Sequence, residues 1–470
     1  MKICLVVEGA YPYVNGGVSS WLQQLLLAMP DVEFVIQVIT AGTEGPRSFK
    51  YQIPANVTEI QELHLLDDDA ITKGNTKKLR LTVEQYQAFE NLMFGENIDW
   101  QIIFKFFRNP SLSLNDLFNS EEFLKITTSY YQKHFERVVF SDFLWTMRSM
   151  YLPLFTILKG DTVEADIYHA VSTGYAGIFA SMQKALYNKK MVLTEHGIYT
   201  REREEEIIKA AWVKSIYKDL WIAQFRKLSQ CSYEFADSVT SLFQAAREFQ
   251  IELGCNPNKT KVIPNGIQVS KYQGLKSNTE HFINIGAIMR VTPIKDVKTL
   301  ITAFGIAKQN NSHLKLWIMG SLEESEQYAE SCKLLVTEMG ISDVEFTGMV
   351  NVMDYLGKMD MVVLSSISEG QPLSILEAFA AKKPVIATNV GNCRGLIEGE
   401  LDEFGDAGIV VPVMSPDQLA QAMMKLASSD ALRIEMGEIG YRRVTQSYTS
   451  ERSYHEYQNT YKQVMEGRCE

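Results

Sequence analysis

The stretch Ser368-Glu369-Gly370-Gln371-Pro372-Leu373-Ser374-Ile375-Leu376-Glu377 decides how the chain folds. Just before it, the apolar run 360–365, Asp-Met-Val-Val-Leu-Ser, reads as a buried strand. Just after it, 375–382 is rich in Leu, Glu and Ala and reads as a helix. Gly370 turns the chain between them, and Pro372 pre-sets a helix start. A strand, a tight loop and a helix N-terminus present free backbone N–H groups and a positive dipole end to a ligand. Glu369 stands in the loop, and Glu377 lies about two helical turns further on, on a nearby face. Aimed at one ligand, two carboxylates accept hydrogen bonds from hydroxyls rather than neutralise a charge.

At 470 residues the chain is too long for a single core, so two or three domains are expected. Hydrophobic residues at 46% and charged residues at 22% are ordinary for a globular protein. A net charge of −11 argues against nucleic-acid binding over the whole surface, while leaving room for a local basic site. The six cysteines, Cys4, Cys231, Cys255, Cys332, Cys393 and Cys469, are scattered and form no C-x-x-C pair, which fits a reduced, cytoplasmic compartment. The start Met1-Lys2-Ile3-Cys4-Leu5-Val6-Val7-Glu8 breaks its apolar run at once and is not expected to be a signal peptide. No run approaches the length of a membrane span.

From the N-terminus, 3–7 reads as a first buried strand, and Gly16-Gly17-Val18 leads into a helix over 19–29. This is a second strand–glycine–helix cradle for an anion, without the G-x-G-x-x-G spacing of a dinucleotide fold. After a strand at 34–39 the pattern changes. The segment 63–161 reads as a helical insertion whose many aromatics, from Tyr86 to Trp145, belong to a core. Asp67-Asp68-Asp69 within it reads as a solvated surface run rather than a metal motif. Strands resume at 166–169 and 191–194, and the second ends in Glu195-His196-Gly197. Ligands of open α/β sheets bind at the carboxyl ends of strands, which makes His196 a candidate to hydrogen-bond a ligand. Arg201 to Glu205 are weighed as an acceptor-pocket wall against a solvated helical face. Pro264-Asn265-Gly266 turns the chain out of the first domain. The second domain opens with a strand ending at Arg290, followed by Lys295 and a helix over 297–309. Arg as a fork and Lys as a point charge at a strand end and helix start suit phosphate. The final helix, 450–465, spaces Tyr454, Tyr457, Tyr461 and Val464 helically.

The Glu369-x7-Glu377 pair in its Glu-Gly-x-Pro-Leu context resembles the GT4 family of GT-B glycosyltransferases. The resemblance covers nearly the whole chain, most densely from Val262 to Pro412. Within that family, the Val-Glu-Gly-x-Tyr-Pro-Tyr-Val-x-Gly-Gly-Val start and the Thr-Glu-His-Gly-Ile-Tyr-Thr-Arg-Glu-Arg segment look like the PelF group, which acts in making the Pel exopolysaccharide. The resemblance implies an α/β chain of two Rossmann-like domains with parallel sheets facing an interdomain cleft. The expected bounds are 1–268 for the N-terminal domain, including the insertion at 63–161, and 276–447 for the nucleotide-sugar domain. A last segment, 448–470, crosses back to the first domain. The implied activity is retaining, metal-independent transfer of a hexose or N-acetylhexosamine from a UDP-sugar to a carbohydrate acceptor. No cofactor beyond that donor is implied, and any membrane contact is peripheral, through a polysaccharide-synthesis complex. By the same resemblance, Arg290 and Lys295 bind the donor diphosphate, and Glu369 and His196 contact the donor sugar. The backbone of Gly370, Gln371, Pro372 and Leu373 orients that sugar, Glu377 holds the ribose, and Gly16 and Gly17 approach the diphosphate or the acceptor. Many GT4 members carry a Glu shortly after the glycine of the segment Gly391-Asn392-Cys393-Arg394, and this chain does not. A sugar-nucleotide sensor without turnover and a UDP-sugar epimerase of similar shape stand as the alternatives.

Overall fold

Short runs of Val, Ile and Leu bounded by turn residues become strands stacked side by side, and the helices between them return the chain. The computed structural model describes residues 1–9, 11–42, 48–65, 79–276 and 282–467. The chain divides into two units, Met1–Val262 with Tyr457–Glu470, and Ile263–Glu456.

The first unit holds strands β1 (Lys2–Glu8), β2 (Glu33–Thr40), β3 (Val57–His64), β4 (Ile167–Ala170), β5 (Lys190–Glu195), β6 (Ser238–Ser241) and β7 (Thr260–Val262). They form one parallel sheet in the order β3-β2-β1-β4-β5-β6-β7. Strand β3 escaped the sequence reading because Glu59 and Glu62 interrupt its pattern. It lies at the sheet edge, where one flank is solvated and polar residues are tolerated. Between β3 and β4 the described helices are Val83–Phe94, Trp100–Phe107, Leu114–Phe118, Glu121–His134 and Phe140–Lys159. Thr82, Asp99, Ser113 and Ser120 each accept a first-turn N–H, so the start of each of these four helices is written in a capping residue. Their aromatics meet in the core as expected, with Phe89, Phe106, Phe107 and Phe155 in ring contact. Trp145 departs from that expectation: it is 61% exposed, with the Arg148 guanidinium 5.0 Å from its ring. Asp67 to Asp69 lie outside the described residues.

The second unit holds β8 (Ile283–Ile288), β9 (Leu314–Met319), β10 (Val344–Gly348), β11 (Met361–Leu364), β12 (Val385–Thr388) and β13 (Gly408–Val411). They form a parallel sheet in the order β10-β9-β8-β11-β12-β13. The chain passes to this unit after Val262 rather than at 268, because Ile267 and Val269 bury their side chains in the second core. The last helix, Ser450–Glu466, is shared: it belongs to the second unit up to Glu456 and to the first from Tyr457. In each sheet the strand order reverses once, between β1 and β4 and between β8 and β11. Such reversal points open a crevice at the carboxyl ends of the strands, where ligands of this fold class bind.

Candidate active site

In the second unit the reversal point brings together the loops that follow β8 and β11. The β8 loop forms a single turn, Pro293–Lys295, ahead of the helix Val297–Asn310. The β11 loop leads to the helix Leu373–Ala380. Two backbone-directed bonds tie them: Ser365 Oγ donates to the Lys295 carbonyl at 2.8 Å, and Ile367 N to the Ile294 carbonyl at 2.9 Å. This sets the Lys295 ammonium 2.6 Å from Glu369 Oε1, with side chains only 16% and 11% exposed. Ser366 Oγ donates to the same oxygen at 2.5 Å, and the Ser366 carbonyl is held by Thr388 Oγ1 at 2.6 Å.

Gly391 floors the loop. Its φ is +51°, and a Cβ there would lie 2.3 Å from the carbonyl oxygens of both Glu369 and Gly370, so the site accepts only glycine. Asn392 N donates to the Gly370 carbonyl at 2.9 Å. The helix Leu373–Ala380 starts at Pro372, three residues after Glu369, with no side-chain cap among the described residues, the end of a helix that carries the positive pole of its dipole. Thr292 Oγ1 and Asp296 Oδ2, on either side of Lys295 in sequence, are buried without a hydrogen-bond partner among the described residues.

The other second-unit candidates fall differently. Arg290 is 57% exposed and forms a fork on Glu324, with Nη1 2.7 Å from both carboxylate oxygens. Its place in the apolar Ile-Met-Arg-Val run does not bury it. The Gln371 side chain is spent on the backbone of Asn265: Oε1 accepts from Asn265 N at 2.7 Å, and Nε2 donates to the Asn265 carbonyl at 3.2 Å. Glu377 is half-buried and hydrogen-bonded by Tyr272. Burial raises its carboxyl above the usual value, and the Tyr272 bond partly opposes that rise.

In the first unit, Gly16 precedes the helix Gly17–Ala28, which also lacks a side-chain cap. A Cβ at either glycine would meet nothing within 4 Å, and the Gly16 φ of 177° is open to any residue. Packing therefore does not call for glycine here. His196 follows β5, its Nε2 buried without a hydrogen-bond partner among the described residues and its ring edge-on to Trp21 at 4.5 Å. Burial lowers its pKa to about 4, so the ring is neutral at physiological pH. His169 is fully buried between Tyr461 and Thr194, at 2.7 Å from each.

Glu195 was passed over in the sequence. It is buried and accepts from Tyr233 Oη at 2.7 Å, Gln250 Nε2 at 2.9 Å, and Thr173 Oγ1 and Tyr199 N at 3.3 Å. These four donors pin the turn that carries His196, and burial raises the carboxyl despite them. The available signal was its place as the last residue of a central strand.

Two family models match the chain. One, "Domain of unknown function (DUF3492)", covers residues 1–258, and the other, "Glycosyl transferases group 1", covers 280–429. The capsular polysaccharide biosynthesis glycosyltransferase CapM of Staphylococcus aureus is 28% identical over 205 residues, 42% of this chain and 52% of CapM. The chain thus spans about half the length of that curated relative. An Escherichia coli enzyme named UDP-Gal:alpha-D-GlcNAc-diphosphoundecaprenol alpha-1,3-galactosyltransferase is 26% identical over 308 residues, 61% of this chain and 72% of its own. Among solved structures, HepE of Anabaena in complex with UDP superimposes with a TM-score of 0.64 at 15% identity, covering 98% of this chain and all 100% of its own. Sucrose-phosphate synthase of Thermosynechococcus elongatus does so with 0.60 at 16% identity and 99% of both chains. The structural likenesses establish the fold, two Rossmann-like units of the GT-B type. The first family model spans more than half of the chain, which therefore belongs to the DUF3492 family, with residues 280–429 of its second unit matching the group 1 glycosyl transferase model.

Proposed function

We propose that the protein transfers a hexose or N-acetylhexosamine from a UDP-sugar to a carbohydrate acceptor, with retention at the sugar carbon and without a metal ion. The observation that carries this is the Lys295–Glu369 pair at the strand-order reversal of the second unit, beside an uncapped helix N-terminus. The reaction breaks the bond between the anomeric carbon and the diphosphate oxygen as positive charge develops on the sugar. Lys295 and the first amides of the helix Leu373–Ala380 stabilise the departing diphosphate, a task given elsewhere to metal ions. Arg290, exposed and paired with Glu324, turns to the same phosphates. Glu369 and the backbone from Gly370 to Leu373 orient the sugar, and Glu377 with Tyr272 takes the ribose hydroxyls. The acceptor oxygen attacks on the face the diphosphate leaves, and its proton passes to the departing phosphate oxygen. Neutral His196, with Nε2 unpartnered, hydrogen-bonds a sugar hydroxyl. Gly16 and Gly17 keep the space before their helix open for the acceptor or the diphosphate.

The relatives' names support polysaccharide work, CapM in capsule synthesis and the E. coli enzyme on a diphosphoundecaprenol-linked sugar. We place this protein in exopolysaccharide synthesis of the Pel type, with peripheral attachment to a membrane assembly. The test is UDP release from UDP-glucose and UDP-N-acetylglucosamine, with and without oligosaccharide acceptors. Acceptor-dependent release that survives chelator is expected, and Lys295→Ala should lower it roughly 10²-fold, as loss of a charge stabiliser in a transition state does. Conversion of donor alone identifies an epimerase, UDP binding without turnover identifies a sensor, and chelator-sensitive release removes the metal-independent mechanism.

A further inference from the structure

We propose that Glu369 is an exchangeable counter-anion: it neutralises Lys295 while the site is empty and yields it to the incoming diphosphate, with Ser366 as the positioning residue that holds the displaced carboxylate. This rests on the donor-site reading above.

The reasoning begins with cost. An ammonium only 16% exposed is expensive to leave unpaired, so an empty diphosphate site built around Lys295 needs a resident anion. Glu369 supplies it at 2.6 Å. A diphosphate carries more negative charge than a carboxylate and offers more acceptor oxygens, so it wins the ammonium on arrival. The carboxylate then needs a partner of its own. Ser366 Oγ, in a fully buried residue, already donates to it at 2.5 Å, and Thr388 Oγ1 fixes the Ser366 carbonyl at 2.6 Å from the neighbouring strand. Lys295 is steadied independently, its carbonyl taking the Ser365 hydroxyl at 2.8 Å. The two consecutive serines at the end of β11 therefore serve opposite partners: Ser365 holds the backbone of the cation and Ser366 holds the side chain of the anion. Once the exchange has occurred, Glu369 stays anchored and faces the sugar with its remaining acceptor capacity. Donor binding thus changes the partners in the site and leaves each buried charged group hydrogen-bonded, the ammonium to the diphosphate and the carboxylate to Ser366.

The consequence runs against intuition: removing a residue of the donor site should tighten UDP. The experiment is calorimetric titration of the full chain with UDP, for the wild type and for Lys295→Ala, Glu369→Gln, Glu369→Ala, Ser366→Ala and the double variant Ser366→Ala/Glu369→Gln. Each variant's thermal melt is recorded alongside to confirm that it is folded. Glu369→Gln and Glu369→Ala are expected to bind UDP about fivefold more tightly, because the competing carboxylate is gone. Ser366→Ala is expected to bind about threefold more weakly, and this loss should vanish in the Glu369→Gln background, the signature of a direct coupling. Equal or weaker UDP binding by both Glu369 variants overturns the exchange. A Ser366→Ala loss of the same size in both backgrounds makes Ser366 a structural residue and overturns its positioning role. Absence of UDP binding by the folded wild type removes the donor-site reading itself, a different failure from either of these.

Discussion

His169 accepts or donates at both ring nitrogens, to Tyr461 and Thr194, and burial lowers its pKa to about 3. His196 is lowered to about 4 by the same cause. Both rings are neutral in the folded protein near pH 7, whereas an unfolded chain protonates them around 6.5. Between those values the unfolded chain binds more protons, so stability rises with pH through the window. Their contribution is therefore complete above pH 6.5 and is lost as pH falls towards the folded values, by up to about 1.4 kcal/mol per pH unit for each ring. The check is the urea midpoint of the wild type and of His196→Asn from about pH 7 to about pH 4.5. The variant should show a shallower slope by one ring's share. Equal slopes would mean that His196 is charged in the folded chain. Only the position of His196 at a strand end was legible beforehand. Its neutrality comes from Trp21 and the surrounding packing, which no local spacing encodes.

At the scale of elements, the segment after β12 shows where sequence reading stops. Gly391-Asn392-Cys393-Arg394 looked like a departure from the family pattern, with consequences for ligand contacts. In the fold it is a floor under the Glu369–Gly370 backbone, continued by a π-helical turn, Gly395–Gly399. That wide turn misaligns its carbonyls, and Arg443 repairs them: Nη1 donates to the Leu396 and Ile397 carbonyls at 2.9 and 2.6 Å. The remaining guanidinium donors go to Asp402, at 2.8 and 2.9 Å, and to the Gly405 carbonyl at 2.5 Å. Arg443 is 1% exposed and Asp402 3%, and the guanidinium holds the Asp402 carboxyl below its usual range against the opposing effect of burial. Replacing Arg443 by Ala leaves the buried Asp402 carboxylate without its counter-ion and takes a donor from the Leu396, Ile397 and Gly405 carbonyls, and should cost about 3–5 kcal/mol. Denaturant unfolding of the Arg443→Ala variant measures this, and a loss below about 1 kcal/mol would mean that water serves those groups equally well. The strands, the glycine turns and the Pro372 helix start were legible because each is decided within a few residues. Arg443 was not, since its partners lie 38 to 47 positions away. The same holds for Arg290 on Glu324, 34 positions off, and for Gln371 on Asn265, 106 positions off. Lys295 and Glu369 were each singled out from their own surroundings. Their pairing across 74 positions needed the fold.

For the whole molecule, the consequential feature is that the first unit is discontinuous in sequence: it is closed by residues from Tyr457 onward, after the second unit has been completed. Tyr457, Tyr461 and Val464 are buried at 0%, 0% and 1% exposure. The Tyr461 hydroxyl serves His169, and the Tyr457 hydroxyl lies 3.5 Å from Thr194, its ring edge-on to Trp21 at 5.2 Å. A fragment ending at Val262 therefore exposes an apolar face and orphans one nitrogen of a fully buried histidine, which alone costs about 1–3 kcal/mol. The second unit is continuous and has its own core, from Ile267 to Tyr448. The two fragments should behave unequally. Residues 263–456 expressed alone should melt cooperatively. Residues 1–262 should melt at a clearly lower temperature than the same fragment with 450–467 fused through a flexible linker. Within the fused form, Tyr461→Phe should recover part of the deficit, because the His169 contact is lost while the packing stays. Equal melting temperatures for the fused and unfused fragments would show that the terminal helix adds nothing to the first core, contrary to the burial of its two tyrosines.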